Sequence, residues 1–210
     1  MPTYHAPVKD YKFLMHNIFN LQQYNDIESY KEATPDLIDA VLEEAAKLTE
    51  NIFQPINQSG GKEGCLLQNG TVSTPKGFKE AYDHFREGGW QGITSDVKYG
   101  GQGLPRTLGI AISEMMVSSN WGLAMYPGLT DGAAETIHTW GTEEQKDTFL
   151  PKMTSGEWSG TMNLTEPHCG TDLGLLRTKA DPNPDGSYNI SGTKIFISAG
   201  DHDLTENIIH

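Results

Sequence analysis

Cysteine is scarce in this sequence, and several classes of protein can be set aside for that reason. Its 210 residues include two cysteines, Cys65 and Cys169, which form neither a C-x-x-C pair nor a disulfide framework. So few cysteines are typical of a reducing intracellular compartment, and we expect a cytoplasmic location. Lys9, Asp10 and Lys12 interrupt the N-terminus, which resembles neither a signal peptide nor an Arg-rich transit peptide.

Positive charge and long apolar runs are also scarce. The chain has 15 basic and 28 acidic residues, a formal net charge of -13. Nucleic acids and anionic membrane surfaces need clustered Lys and Arg, so both are disfavoured as partners. No apolar run approaches the ~20 residues of a membrane-spanning helix. Hydrophobic residues nevertheless make up 36% of the chain, which predicts a globular fold with a core.

Helical patterns fill the chain up to about residue 156. Thr34 and Pro35 form a typical N-cap and first helical position, and an apolar stripe follows them up to Ile52. Thr74 and Pro75 repeat this pattern before another helix, and residues 57–74 between the two helices predict a loop. Further helices are expected at about 106–119 and 128–139. Thr142 and Gln145 have the spacing of a capping box.

From Glu157 onward, short β-type runs alternate with turns, and residues 181–186 (DPNPDG) predict a hairpin. We therefore predict an α+β multidomain protein, in which an all-α N-terminal helical domain precedes the start of an antiparallel β-barrel or sandwich. The predicted divisions are an N-terminal extension (1–30), the helical domain (31–156) and a partial β middle domain (157–210). Four or five strands cannot close a barrel, so we expect the β domain to be truncated.

One unusual string runs from Met162 to Asp172 (MNLTEPHCGTD). Pro167 stops sheet pairing, and Gly170 permits a positive φ or a close backbone approach. Exposed N–H groups in such a loop can bind a pyrophosphate. Spacing alone equally allows a tight turn without a ligand.

A second string runs from Lys194 to Gly200 (KIFISAG). If it forms a strand, Phe196 and Ser198 share one face, while Ile195 and Ile197 share the other. An aromatic side chain beside a hydroxyl would suit a flat heteroaromatic ring. Taken alone, an ordinary half-buried strand explains the same pattern.

Together, the two strings resemble those of the acyl-CoA dehydrogenase family. Further stretches of that family occur in their usual order, namely Gly89-Trp90, YGGQGLP at 99–105 and GTEEQKDTFLPKMTSGEWSG at 141–160. The opening YHAPVKDYKFLMHNIF resembles the extension of one branch, which includes enzymes similar to methylmercaptopropionyl-CoA dehydrogenase. The resemblance covers essentially the whole chain.

The resemblance implies an FAD cofactor and names the residues that contact it. These are the ring-lining Met162, Leu164 and Thr165, the pyrophosphate-turn residues Gly170 and Thr171, and Phe196 and Ser198 beside the isoalloxazine ring. Thr171 would also contact the acyl-CoA. His168 and Cys169 replace the small residues of many members, near the expected thioester entrance.

The implied reaction is the α,β-desaturation of an acyl-CoA thioester with hydride transfer to FAD. The general-base glutamate of the family is expected beyond residue 210, so no catalytic residue is assigned within this chain, and neither Glu114 nor Glu166 is taken as the base. The implied partners are the acyl-CoA substrate, an electron-transfer flavoprotein or similar acceptor, and further copies of the chain in a homo-oligomer.

Other interpretations remain open. Relatives of the same fold include flavin oxidases and monooxygenases, because a fold does not fix a reaction. A non-catalytic association domain is a further alternative. A metal site at Glu166, His168, Cys169 and Asp172 is disfavoured because the spacing is not that of a zinc site. For Asp201-His202-Asp203 we expect a solvated turn.

Overall fold

The structure is a computed structural model and describes residues 3–210 of the chain. Within that range the α-helices are α1 (Val8–Phe13), α2 (Glu28–Lys31), α3 (Pro35–Leu48), α4 (Asn57–Glu63), α5 (Phe78–Glu87), α6 (Arg106–Ser119), α7 (Trp121–Trp140) and α8 (Glu143–Ser155). The strands are β1 (Leu66–Gln68), β2 (Thr71–Ser73), β3 (Trp158–Gly160), β4 (Lys179–Pro182), β5 (Tyr188–Ser191) and β6 (Asn207–Ile209). A helical part therefore precedes short strands, as predicted.

Local capping sets the ends of two helices as the sequence predicts. Thr34 Oγ1 accepts a hydrogen bond from the Leu37 N–H at 3.2 Å, with Pro35 in the first turn of α3. At α8, the side chains of Thr142 and Gln145 each accept from the other's backbone N–H, which forms the capping box. The core between the helices is built from fully buried apolar side chains, among them Ile38, Leu42, Phe53, Tyr82, Phe85, Leu108, Met115 and Leu123.

The region between α3 and α5 differs from the predicted loop. It contains the short helix α4 and the hairpin of β1 and β2. The prediction that Thr74 caps the following helix is wrong, since α5 begins after Gly77, whose φ is 90°. Thr74 instead donates its hydroxyl to the Asp203 carboxylate at 2.7 Å. The long-range hydrogen bond to Asp203 thus replaces the helix cap that the local pattern predicts for the Thr74 side chain.

The strands after residue 157 form two separate pairs. β4 and β5 pair antiparallel, with Asp181 opposite Asn189, and this confirms the predicted hairpin. β3 and β6 pair in parallel, with Ser159 opposite Ile208. The prediction contained only antiparallel strands, so the parallel pairing of β3 with β6 differs from it. A parallel pair needs a long connection, which residues 161–206 supply. The domain boundaries at 30 and 156 remain predictions.

A close contact between α7 and β3 joins the helical part to the strands. The Gly160 N–H donates to Thr130 Oγ1 at 3.1 Å. A Cβ at Gly160 would stand 2.4 Å from Ala133 Cβ and 3.0 Å from the terminal methyl carbon of Met153. Only glycine fits between the helices here, so this position fixes where the chain leaves the helical part.

No helix within residues 3–210 combines the length and the apolar character needed to cross a membrane.

Replacing Gly160 by alanine should destabilise the chain by about 1–3 kcal/mol, because the added methyl group overlaps Ala133 in a packed contact. Gly132→Ala is the matched control. Gly132 lies in α7 with open space around it, so alanine there should be neutral or stabilising by about 0.5–1 kcal/mol. Urea unfolding measures both changes, and equal free energies of unfolding for the two variants would contradict the packing argument.

Candidate functional site

The two strings singled out in the sequence lie side by side. The Ile195 N–H donates to the Thr165 carbonyl at 2.9 Å. At the other end, Thr161 Oγ1 donates to the Ser198 carbonyl at 2.6 Å. Segments 161–165 and 194–198 therefore run antiparallel to each other, although neither forms a regular strand. We call them the paired segments.

The expected strand geometry at Phe196 and Ser198 is wrong. Phe196 has a φ of 56° and Ala199 a φ of 54°, values that L-residues rarely adopt. A positive φ interrupts the alternation of side chains, so the two residues do not share the face of a regular strand. The Phe196 side chain is 86% exposed.

The Glu166 carboxylate organises the turn that follows the first paired segment. Its side chain is only 2% exposed. The backbone N–H groups of Arg177 and Thr178 donate to it at 2.9 and 3.0 Å, and the Thr178 hydroxyl donates at 2.6 Å. These bonds attach the turn to the chain that leads into β4.

Lys194 completes the environment of this carboxylate. Its Nζ lies 2.9 Å from Glu166 Oε1 and also donates to the Leu164 carbonyl at 3.1 Å. The Thr178 hydroxyl, the Arg177 N–H and Lys194 together hold the pKa of Glu166 far below its usual range. Glu166 is therefore ionised and fully engaged, which makes it a poor proton acceptor.

The turn itself leaves backbone donors available. Glu166 and Cys169 exchange backbone hydrogen bonds of 2.9 and 3.0 Å. The N–H groups of Gly170 and Thr171, which come next, have no acceptor within the described part of the chain. Gly170 has no positive φ, and no neighbouring atom lies within 4 Å of where its Cβ would stand. Free donors beside open space suit an anionic group such as a pyrophosphate.

The other predicted contact residues lie on the paired segments and are exposed or half-buried. Met162 is 62% exposed, Ser198 is exposed, and Leu164 and Thr165 are half-buried. The hydroxyls of Thr165 and Ser198 form no hydrogen bond with any residue between 3 and 210. Two free hydroxyls, exposed apolar side chains and free N–H groups fit the ring and the pyrophosphate of a flavin dinucleotide.

Glu166, His168 and Cys169 approach one another more closely than the sequence spacing suggested. Their potential ligand atoms lie within 4.8 Å of one another. However, the Glu166 carboxylate already accepts several hydrogen bonds, and His168 Nε2 donates to the Leu175 carbonyl at 2.9 Å. Because Glu166 and His168 already use these atoms in hydrogen bonds, we assign the cluster a role in stabilising the turn.

The expectation of a solvated turn at Asp201-His202-Asp203 is wrong for its central residue. His202 is buried, donates from Nε2 to Ser159 Oγ at 3.0 Å and accepts the Leu204 N–H at Nδ1. Its ring also packs edge-on against Tyr126 of α7, with the ring centroids 4.9 Å apart. Burial lowers the pKa of His202. No local pattern marks this contact, because its partners lie far away in the sequence.

A cavity of about 660 Å³ lies in the helical part, between α6, α7 and the loop at 90–104. Asp131 and Glu135 of α7 line it, whereas Thr130 and Ala133 of the same helix face β3. Protein atoms around Asp131 desolvate its carboxyl and raise its pKa to about 6. None of the predicted flavin-contact residues lines this cavity, so it is not part of the candidate site.

Comparisons with known proteins agree with this fold. The family model described as the acyl-CoA dehydrogenase N-terminal domain matches residues 68–157. The chain is 42% identical to the 3-methylmercaptopropionyl-CoA dehydrogenase of Ruegeria pomeroyi and 37% identical to a butyryl-CoA dehydrogenase of Syntrophomonas wolfei, each over 99% of the chain. The solved butyryl-CoA dehydrogenase of Megasphaera elsdenii is similar at a TM-score of 0.65 and 29% identity, over 77% of the chain and 40% of that structure.

A helical domain followed by short strands is therefore the fold that this chain shares with the solved butyryl-CoA dehydrogenase. The chain is similar to the acyl-CoA dehydrogenase family through the N-terminal domain model at residues 68–157, and to named members of that family along nearly its whole length. It spans 35% of the length of each of the two curated relatives named above.

The stability of the chain should fall as the pH drops below about 6.5, the ordinary pKa of histidine in an unfolded chain. Because burial lowers the pKa of His202 in the folded state, the unfolded state binds the proton more readily, and stability is lost on acidification. Asp201, Asp203 and Lys79 are the charged groups that influence this imidazole. Thermal unfolding of wild type and His202→Gln between pH 5 and 8 tests this, since the variant should lose that part of the pH dependence. Parallel curves for the two proteins would contradict it.

Proposed function

We propose that the chain forms the N-terminal helical domain and the start of the β domain of an FAD-dependent acyl-CoA dehydrogenase. The reaction would convert an acyl-CoA thioester into the α,β-unsaturated enoyl-CoA. The observation that carries the proposal is the pairing of segments 161–165 and 194–198. It brings two free hydroxyls and an exposed aromatic ring onto neighbouring segments, and the turn that follows the first segment carries free backbone donors. The named activities of relatives that are 42% and 37% identical support the same reaction.

Each predicted contact residue has a role that its environment supports. The free hydroxyls of Thr165 and Ser198 would donate to the polar edge of the flavin ring, and Phe196 would cover one face of it. Met162 and Leu164 would provide the apolar surface beneath. The N–H groups of Gly170 and Thr171 would bind the pyrophosphate, with Thr171 also contacting the acyl-CoA.

Bound FAD would supply the hydride acceptor for the reaction. The residues of this chain would bind and orient the cofactor and keep its ring edge hydrogen-bonded. The proton at the substrate α-carbon needs a base, and Glu166 does not suit this role, because its carboxylate is buried, ionised and engaged by four donors. We place the base in sequence beyond His210, in agreement with the fraction of each relative's length that this chain spans.

The proposed partners follow from this reaction. The acyl-CoA is the substrate, and an electron-transfer flavoprotein or similar acceptor would reoxidise the flavin. A homo-oligomer and a cytoplasmic location belong to the same proposal, and the small number of cysteines agrees with the latter.

The longer protein that carries this chain should purify with FAD, and Thr165→Ala should weaken FAD binding by roughly tenfold, the loss expected for a hydrogen bond of about 1–1.5 kcal/mol. Thr193→Ala is the matched control, because Thr193 is exposed and its hydroxyl bonds to no described residue. Thr161 is unsuitable as a control, since it is buried and holds the Ser198 carbonyl.

Fluorescence titration of the apoprotein with FAD measures these affinities. A wild-type protein that takes up no FAD would contradict the proposed function. Equal FAD affinities for Thr165→Ala and Thr193→Ala would contradict only the assignment of Thr165.

A further inference from the structure

Glu166 and Lys194 stand at the point where the turn meets both paired segments. The carboxylate holds the chain at Arg177 and Thr178, while the ammonium group holds the Leu164 carbonyl. Lys194 itself belongs to the second paired segment, and Glu166 follows directly after the first. One ion pair therefore connects three stretches of chain that otherwise share few backbone hydrogen bonds.

We propose that Glu166 and Lys194 act as one pair of positioning residues, which sets the turn at 166–171 relative to the paired segments and thereby determines FAD affinity. The inference rests on the proposed function, since it concerns the same site. Neither residue needs to touch the cofactor. They act through Leu164 and Thr165 on one side and through the N–H groups of Gly170 and Thr171 on the other.

Burial makes this pair more than a surface contact. The Glu166 side chain is 2% exposed and the Lys194 side chain 21% exposed. An exposed ion pair contributes little, whereas removing one partner of a buried pair leaves the other charge without compensation. The Thr178 hydroxyl and the two N–H groups would remain on Glu166 after loss of Lys194, but the Leu164 carbonyl would lose the donor that lies at 3.1 Å.

The position of Leu164 explains why losing the hydrogen bond from Lys194 to its carbonyl would affect the cofactor site. Its neighbour Thr165 accepts the Ile195 N–H at 2.9 Å, and Ile195 follows Lys194 in the chain. Each member of the ion pair thus lies within two residues of a predicted flavin contact: Glu166 follows Thr165, and Lys194 precedes Phe196 by two residues. A shift of Lys194 would move the side chains on both paired segments together.

The test uses the longer, FAD-loaded protein and four variants: Glu166→Gln, Lys194→Met, the double variant and Lys194→Arg. We expect each neutralising single variant to raise the dissociation constant of FAD roughly tenfold, as for the loss of one charge-assisted hydrogen bond. The double variant should be no worse than either single variant, because the pair acts as a unit. Lys194→Arg should return the affinity to within about threefold of wild type, since it keeps the charge and the donors.

Two controls and two further measurements separate positioning from general stability. Lys179→Met and Glu206→Gln neutralise exposed residues that form no ion pair within residues 3–210, and both should bind FAD as wild type does. Circular dichroism defines a temperature at which every apoprotein is folded. Hydrogen exchange in the apoprotein should become faster at residues 164–171 in Lys194→Met while the exchange of α6 stays unchanged.

The outcomes distinguish this inference from the proposed function. Wild-type protein that takes up no FAD would overturn both. Wild type that binds FAD, with folded Lys194→Met of equal FAD affinity and equal exchange at 164–171, would overturn the pair alone. If Glu166→Gln fails to fold, Lys194→Met decides the question, because Lys194 lies nearer the surface and its loss leaves three donors on Glu166.

Discussion

The contact between α7 and β3 at Gly160 is the constraint on which the placement of the site depends. The missing side chain lets the strand approach the helix, and the Thr130 hydroxyl accepts the Gly160 N–H that would otherwise be buried without a partner. The first paired segment begins at the next residue, so the contact of Gly160 with α7 determines where that segment lies. The second paired segment is attached to the same place from the other end, since His202 bonds to Ser159 and packs on Tyr126.

Between these two attachments the chain has little regular sheet. β4 and β5 pair only with each other, and segments 161–165 and 194–198 share single backbone or side-chain hydrogen bonds. Side-chain bonds therefore replace the ladder that would fix a longer strand. A charged carboxylate at the start of the turn suits this arrangement, because the two oxygens of Glu166 accept hydrogen bonds from two backbone N–H groups at once.

The sequence predicts the features that local chemistry decides. Thr34 and Thr142 form the helix caps expected of them, and the turn at 181–186 closes the expected hairpin. Prediction from the sequence fails where a residue distant in the chain bonds to the side chain in question. Thr74 has the pattern of a cap but bonds to Asp203, 129 residues away, and His202 between two aspartates has the composition of a solvated turn yet is buried against α7. The contact residues of the site are predicted from resemblance, and the pairing of their segments could not be derived from spacing.

The backbone at Phe196 connects this architecture to the proposed chemistry. A positive φ at a bulky residue is costly and persists only where the neighbouring structure enforces it. Here the Ile195 N–H is held by Thr165 on one side, and the Ser198 carbonyl is held by Thr161 on the other. These bonds hold the backbone on both sides of the residue from which the exposed ring projects. If Phe196 stacks on a flat ring as proposed, a backbone that is fixed in advance would reduce the conformational entropy lost on binding.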